Sequence, residues 1–254
     1  MTRHPPTNDE LAHDERLTPL LINLQNRDRL SPRERGAIAG SIARFQSLKS
    51  GEDIVREGQE PGESCLMVSG YSVRTHTMRD GGVQISAVHM AGDFVDLHGF
   101  LLGRMDHSVM ALGDCTVAYV PHAALKAITE EHPHLSRLLW LLTLVDAAIH
   151  RRWIAAKGRL SSVGQMAHFL CEIRTRLLAV GLSDGGRFQL PMTQQQLGDA
   201  MGLSPVHINR TLQEMRRRNL ISWRALDVTI LDWPELRRLG EFDPSYLNLT
   251  VRPR

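Results

Sequence analysis

The sequence predicts an α+β chain. It has an N-terminal antiparallel β-roll of cupin-like jelly-roll type, then one long helix, then a C-terminal winged helix-turn-helix. Three observations carry this. Between Phe45 and Val120, runs rich in Val, Ile and Thr (SCLMVSG, YSVRTHTM, VQISAVHM, CTVAYV) are punctuated by glycines, the texture of short antiparallel strands. From about Pro133 to Lys157 apolar residues recur at helical spacing. From Thr193 to Arg218 two short helical segments meet at a glycine. The chain has 254 residues, 42% of them hydrophobic and 23% charged, enough for two globular domains rather than a disordered chain.

The elements follow in order. Residues 1–16 are polar and contain prolines, and the expected division begins with a polar tail over 1–20. The roll is assigned to 21–132. Ser31 as cap and Pro32 at the first helical position open a short helix to about Arg44. The strand runs follow, with Asp80, Gly81 and Gly82 as a hairpin signal. The long helix is assigned to 133–158, with a break or hinge at Gly158. Its residues Leu135, Leu138, Leu142, Val145 and Ile149 repeat with spacing 3, 4, 3, 4, an a/d seam on which a second copy of the chain is expected to pack. Trp140, Leu141, Leu144 and Ala148 add apolar surface beside it. The C-terminal domain is assigned to 159–240 and a tail to 241–254. Ser161 and Ser162 open a helix to about Val180, and LSDGGRFQL is a loop or short strand. Leu220–Trp223 and Val228–Leu231 form a β-hairpin wing, and Trp233–Leu239 a last helix.

The helix-turn-helix stretch, TQQQLGDAMGLSPVHINRTLQEMRRR, carries the most chemistry. Thr193 and Gln196 form a T-x-x-Q capping box. Leu197, Ala200 and Met201 make the buried stripe of the first helix, and Gly202 suits the turn. Ser204 caps the second helix with Pro205 at its first position. Ile208, Leu212 and Met215 face inward, leaving His207, Asn209, Arg210 and Gln213 to point outward. Such a helix enters the major groove, so double-stranded DNA is the expected partner. The net charge is only +2, so the attraction must come from a local patch: Arg210, Arg216, Arg217, Arg218 and Arg224. The expected DNA-binding residues are Ser204, Val206, His207, Asn209, Arg210, Gln213, Arg217 and Arg224.

A glycine-punctuated roll, a long helix and a winged helix-turn-helix in that order resemble the Crp/Fnr family of bacterial transcription regulators. The resemblance covers about residues 20–240. It is most specific in GLSPVHINRTLQEMRRRNLI and in the glycine pattern of GEDIVREGQEPGESCLMVSG. It implies a homodimer on a pseudo-palindromic operator, an effector acting on the roll, and RNA polymerase as a further partner. Arg210 falls where the family keeps an arginine that reads guanine O6 and N7. Pro205 and Val206 stand where cyclic-AMP-type members have Arg and Glu, so the operator need not be theirs.

The roll departs more. Cyclic-nucleotide-binding members hold the ribose with a glutamate and the phosphate with an arginine followed by Ser or Thr. The matching stretch here is GDFVDLHGFLLGRMDHS. Asp96 stands near the glutamate position and Ser108 near the hydroxyl position. Asp106 and His107 take the arginine's place, with Arg104 nearby but offset. An aspartate there repels a phosphate, which argues against cyclic AMP. The candidate effector pocket is Asp96, Leu97, His98, Arg104, His107 and Ser108. Fnr-type sensors hold an iron–sulfur cluster with four cysteines, mostly N-terminal. This chain has three, Cys65, Cys115 and Cys171, which argues against that cluster and against a disulfide framework. The roll histidines His76, His89, His98 and His107 leave a haem or a small organic ligand open. They read first as ordinary strand and loop residues, and no metal site is assigned. His132 and His134 read as loop.

The longest apolar run, Leu138–Leu142, is far too short for a bilayer, and the N-terminal residues carry no signal-peptide pattern, so a cytoplasmic protein without a membrane partner is expected. An enzyme using Asp96, His98, Asp106 and His107 as acid–base groups is the reading from another class. No nucleophile elbow, phosphate loop or H-E-x-x-H spacing supports it. A ligand-binding or scaffold dimer that has lost DNA reading is the remaining alternative.

Overall fold

The structure is a computed structural model and describes residues 14–254. Most of the expected N-terminal tail, residues 1–13, lies outside the described residues. Residues 14–20 are not loose. Asp14 caps a 3-10 turn, Glu15–Leu17, that runs into α1 (Thr18–Gln25). Leu17, Leu20 and Leu24, spaced 3 and 4 apart, are buried, an apolar stripe that the surrounding charge hides in composition. Then α2 (Pro32–Gly40) opens at the expected cap. The Ser31 hydroxyl accepts from the Glu34 amide at 3.3 Å, and the Glu34 carboxylate accepts from the Ser31 amide at 2.8 Å.

The roll follows as β1 (Arg44–Leu48), β2 (Asp53–Val55), β3 (Glu63–Thr77), β4 (Val83–Met90), the short α3 (Gly99–Leu102) and β5 (Ser108–Pro121). The strand order is β1-β5-β3-β4, with β2 also on β5. β1 pairs antiparallel with β5 from Arg44↔Tyr119 to Leu48↔Cys115. Two expected short runs, SCLMVSG and YSVRTHTM, are one strand of 15 residues. Gly70, read as a break, instead lies within β3 at φ +77°, where an added Cβ would meet the Asp114 carbonyl at 2.7 Å. Glycine absorbs the positive φ and the close approach without ending the strand.

Side chains alternate across this sheet, and both faces are covered. Cys65 and Met67 of β3, with Val117 and Tyr119 of β5, join Leu48, Val55, Met105 and Val109 in the roll interior. Leu66, Val68, Ala118 and Val120 point the other way and pack with Leu20, Leu24, Ile38, Leu125, Leu135 and Leu138. The strand period of 2 therefore sends neighbouring residues into two different cores. That explains why these strands read as nearly continuous apolar runs.

After α4 (His122–Glu131), α5 runs unbroken from Pro133 to Arg159. Gly158 lies in its last turn and not at a break. Ser161 caps α6 (Ser162–Ala179) by accepting from the Gly164 amide at 3.2 Å. β6 (Arg187–Gln189), α7 (Gln194–Met201), α8 (Pro205–Arg217), β7 (Ile221–Arg224), β8 (Asp227–Ile230) and α9 (Trp233–Leu239) complete the C-terminal part, with strand order β6-β8-β7. The expected tail over 241–254 contains a 3-10 turn, Pro244–Leu247, with Tyr246 and Leu247 buried. The Tyr246 hydroxyl donates at 2.7 Å to the fully buried Glu172, which also accepts from the Trp153 indole at 3.2 Å. A buried carboxylate needs such partners, and they tie the turn to α6.

The chain divides into two compact units that are interleaved along the sequence. One takes in residues up to Ser72, His89–Thr143 and Thr250–Arg254. The other takes in Val73–Val88 and Leu144–Leu249. Within the second unit, Arg74 pairs with Asp146 at 3.0 Å and Gln84 donates to the Asp199 carbonyl. Among the described residues no helix is long and apolar enough to cross a membrane.

Candidate functional site

The helix-turn-helix forms as its sequence dictates. Thr193 and Gln196 make both bonds of the capping box, the Thr193 hydroxyl accepting from the Gln196 amide at 3.2 Å. Gly202 takes φ +70° at the turn, and at Gly198 an added methyl would collide with the Leu203 carbonyl. The two glycines let the helices cross closely and reverse direction. Ser204 caps α8 by accepting from the His207 amide at 3.3 Å. Ile208, Thr211, Leu212 and Met215 are buried beneath the helix.

Opposite that face, Val206, Arg210, Gln213 and Arg217 are all exposed and follow one another at spacing 4, 3, 4, a single stripe along α8. Ser204 and His207 are exposed at its N-terminal end, and Arg224 is exposed where β7 turns toward β8. Asn209 is half-buried, and its amide donates to the Gln194 side chain at 3.3 Å, tying α8 to α7. The rest of the arginine run is engaged within the chain. Arg216 donates to the Trp223 carbonyl at 3.1 Å, and Arg218 pairs with Glu235 at 2.9 Å. The cationic stripe is therefore narrower than the sequence alone gives.

The expected dimer seam needs correction. Leu135 and Leu138 are 0% exposed, Val145 and Ile149 are also buried within this one chain, and Leu142 packs against the helical core. A heptad pattern specifies an apolar face but not what covers it, and here the chain covers its own. On the outward side of the same helix Trp140 is 66%, Leu144 49% and Ile154 71% exposed. With the half-buried Ala147 and the exposed Arg151 and Gly158 they repeat at 4, 3, 4, 3, 4, a second heptad stripe largely exposed to solvent.

The six expected effector-pocket residues have different surroundings. Leu97 is core. The buried Asp96 carboxylate accepts from the Cys65 amide at 2.6 Å, so its work includes holding two roll segments together. The Ser108 hydroxyl accepts from the Glu57 amide at 2.9 Å, and Arg104 is exposed. His98 and His107 do come together, with ring centroids 5.0 Å apart. Asp106, left out of the expected pocket, joins them, its carboxylate 2.6 Å from His107 Nδ1. Burial alone would raise the Asp106 pKa, but the facing His107 outweighs it and holds the carboxyl below its ordinary range. Among the other roll histidines, His89 is buried beside Ser72 at 3.4 Å.

His134, expected in a loop, lies in the first turn of α5. Its two nitrogens meet Glu34 at 2.6 Å and Asp28 at 3.1 Å.

Known proteins place the chain further. Residues 164–239 match the Crp-like helix-turn-helix domain family, and residues 45–132 match the cyclic nucleotide-binding domain family. The chain is 30% identical over 198 residues to the nitrogen fixation regulation protein FixK of Bradyrhizobium diazoefficiens, covering 75% of this chain and 79% of that one. It is 27% identical over 225 residues to the transcriptional activator protein Anr of Pseudomonas aeruginosa, covering 88% of this chain and 90% of that one. The solved structure of FixK2 from Bradyrhizobium japonicum shares the fold, with a TM-score of 0.71 at 23% identity over 79% of this chain and 98% of that one.

Proposed function

The chain belongs to the Crp/Fnr family of DNA-binding transcription regulators, and from that we propose that it acts as a homodimer reading a pseudo-palindromic operator through α8. One observation carries the reading: the exposed line Val206, Arg210, Gln213 and Arg217 on α8, over a fully buried opposite face. Arg210 is the base reader, since a guanidinium matches guanine O6 and N7 in the major groove. Arg217 and Arg224 meet phosphate and fix the register. Ser204, Val206, His207 and Gln213 line the entry to the groove. Asn209 supports the helix pair and reaches the groove only with its free edge.

Members of the family act as dimers, and the outward stripe Trp140–Leu144–Ile154 is the face proposed for that contact. A helix apolar on two sides needs two partners, and among the described residues only the inner side has one. The roll is the effector half. Its residues do not fit a cyclic phosphate, because the carboxylate of Asp106 occupies the place where a cation is needed. A haem stays untied to any one of the roll histidines. Three widely spaced, buried free cysteines support a reducing, cytoplasmic setting. RNA polymerase is the further partner through which a bound dimer acts on transcription.

The test is selection of random duplex DNA by the purified full chain. An enriched inverted repeat is expected. Enrichment of a single unrepeated site, or of nothing with and without added cell extract, overturns the reading.

A further inference from the structure

His98 stands at the start of α3, and Asp106 and His107 stand at the entry to β5. The turn between them brings the three together, with one ligand atom from each within 4.8 Å of the others. Both segments are pinned by backbone bonds. The Leu102 amide donates to the His98 carbonyl at 3.0 Å, and Gly103 takes φ +76° to end the helix. The Met105 amide donates to the Gln59 carbonyl at 2.9 Å and its carbonyl accepts from the Gly58 amide at 2.7 Å. These side chains are therefore presented by a preformed frame. His107 is buried, His98 is half-buried and Asp106 is exposed, so the cluster is closed on one side and open to solvent on the other.

We propose that His98, Asp106 and His107 hold one divalent transition-metal ion of the zinc or iron(II) class. Two imidazole nitrogens and one carboxylate oxygen are the donor set such ions take, with remaining positions left for water or a small ligand. Ligand atoms about 2.0–2.1 Å from a tetrahedral centre lie about 3.3 Å apart, so binding an ion draws these three atoms in from their observed spacing of up to 4.8 Å. The two imidazoles lie 5.0 Å apart with the Asp106 carboxylate beside one of them, so a single cation can be shared by all three. Cys65 and Cys115 line the roll interior as free thiols but form no part of this set.

The experiment uses the full chain, stripped with chelator and dialysed against Zn²⁺ or Co²⁺. One ion per protomer is expected. The cobalt form should show visible d–d bands without a thiolate charge-transfer band. Asp106→Asn, at an exposed position that leaves folding intact, and His98→Gln should each weaken zinc binding at least tenfold. His76→Gln should not change it. No bound ion, unchanged affinity in Asp106→Asn, or a thiolate band pointing to Cys65 or Cys115 overturns the proposal. No readout requires DNA, so a failed operator selection leaves this result standing, and the converse holds too.

Discussion

Arg210 and Arg217 share one face of α8 but have different tasks, and substitution separates them. Arg210→Ala should weaken the selected operator by about 1–3 kcal/mol while random DNA is held nearly as before. Arg217→Ala should weaken both alike and lower the slope of log K against log salt by about 1. Titrations of both duplexes at several salt concentrations decide it. His134 gives a pH prediction. Burial would lower its pKa, but the bonds to Glu34 and Asp28 outweigh that and hold it above the usual histidine value. A raised folded pKa contributes stability that is complete below about pH 6.5 and is lost as pH rises through the folded value. The melting temperature should fall from about pH 6 to 8, and His134→Gln should be flat over that window. Residue-scale features were legible unevenly. The caps at Ser31, Ser161, Thr193 and Ser204 could be read because each bond spans three residues. The meeting of His134 with Asp28 could not, because it spans 106 residues. The sequence groups His98 and His107 in one candidate pocket, but the contact of their rings at 5.0 Å depends on the shape of α3.

At the scale of the element, α5 shows what a periodic pattern tells and what it omits. The spacing of Leu135, Leu138, Leu142, Val145 and Ile149 identified a long helix with a buried face, and that helix is there. It could not say whether the cover was the chain's own core or a second copy, because both bury the same apolar area. The two faces can be told apart by mutation. Trp140→Asp with Leu144→Asp should leave the monomer folded and shift it from dimer to monomer in sedimentation. Leu138→Ala should instead cost about 2–5 kcal/mol of stability through a cavity, with the dimer contact intact. A dimer that survives the paired aspartates rules out the outward stripe. The strands teach a similar point. Glycine punctuation marked the roll correctly, but it cut β3 at Gly70, where a strand that tolerates positive φ simply continues.

For the molecule as a whole, symmetry governs how DNA is met. Two copies of α8 in a homodimer reach half-sites about 34 Å apart, one helical turn. Inserting five base pairs at the operator centre turns one half-site to the far side of the duplex and should reduce affinity to the random-DNA level. Inserting ten should restore part of it. Loss in neither case means the half-sites are read independently. The order of roll, helix and winged helix-turn-helix was legible from texture alone, since each part has its own period. The interleaving of the units was not, because it depends on which distant segments pack together. That interleaving bears on how such regulators can be recombined. A chimera joined by a single crossover in α5 would take Val73–Val88 from one parent and Leu144–Leu249 from the other, stranding the hairpin away from Asp146 and Asp199. It would also bring Thr250–Arg254 from the wrong parent to meet Arg27 and Asp28. Swapping sensor and reader between relatives therefore takes four matched junctions, and graft libraries built on one should yield mostly insoluble protein.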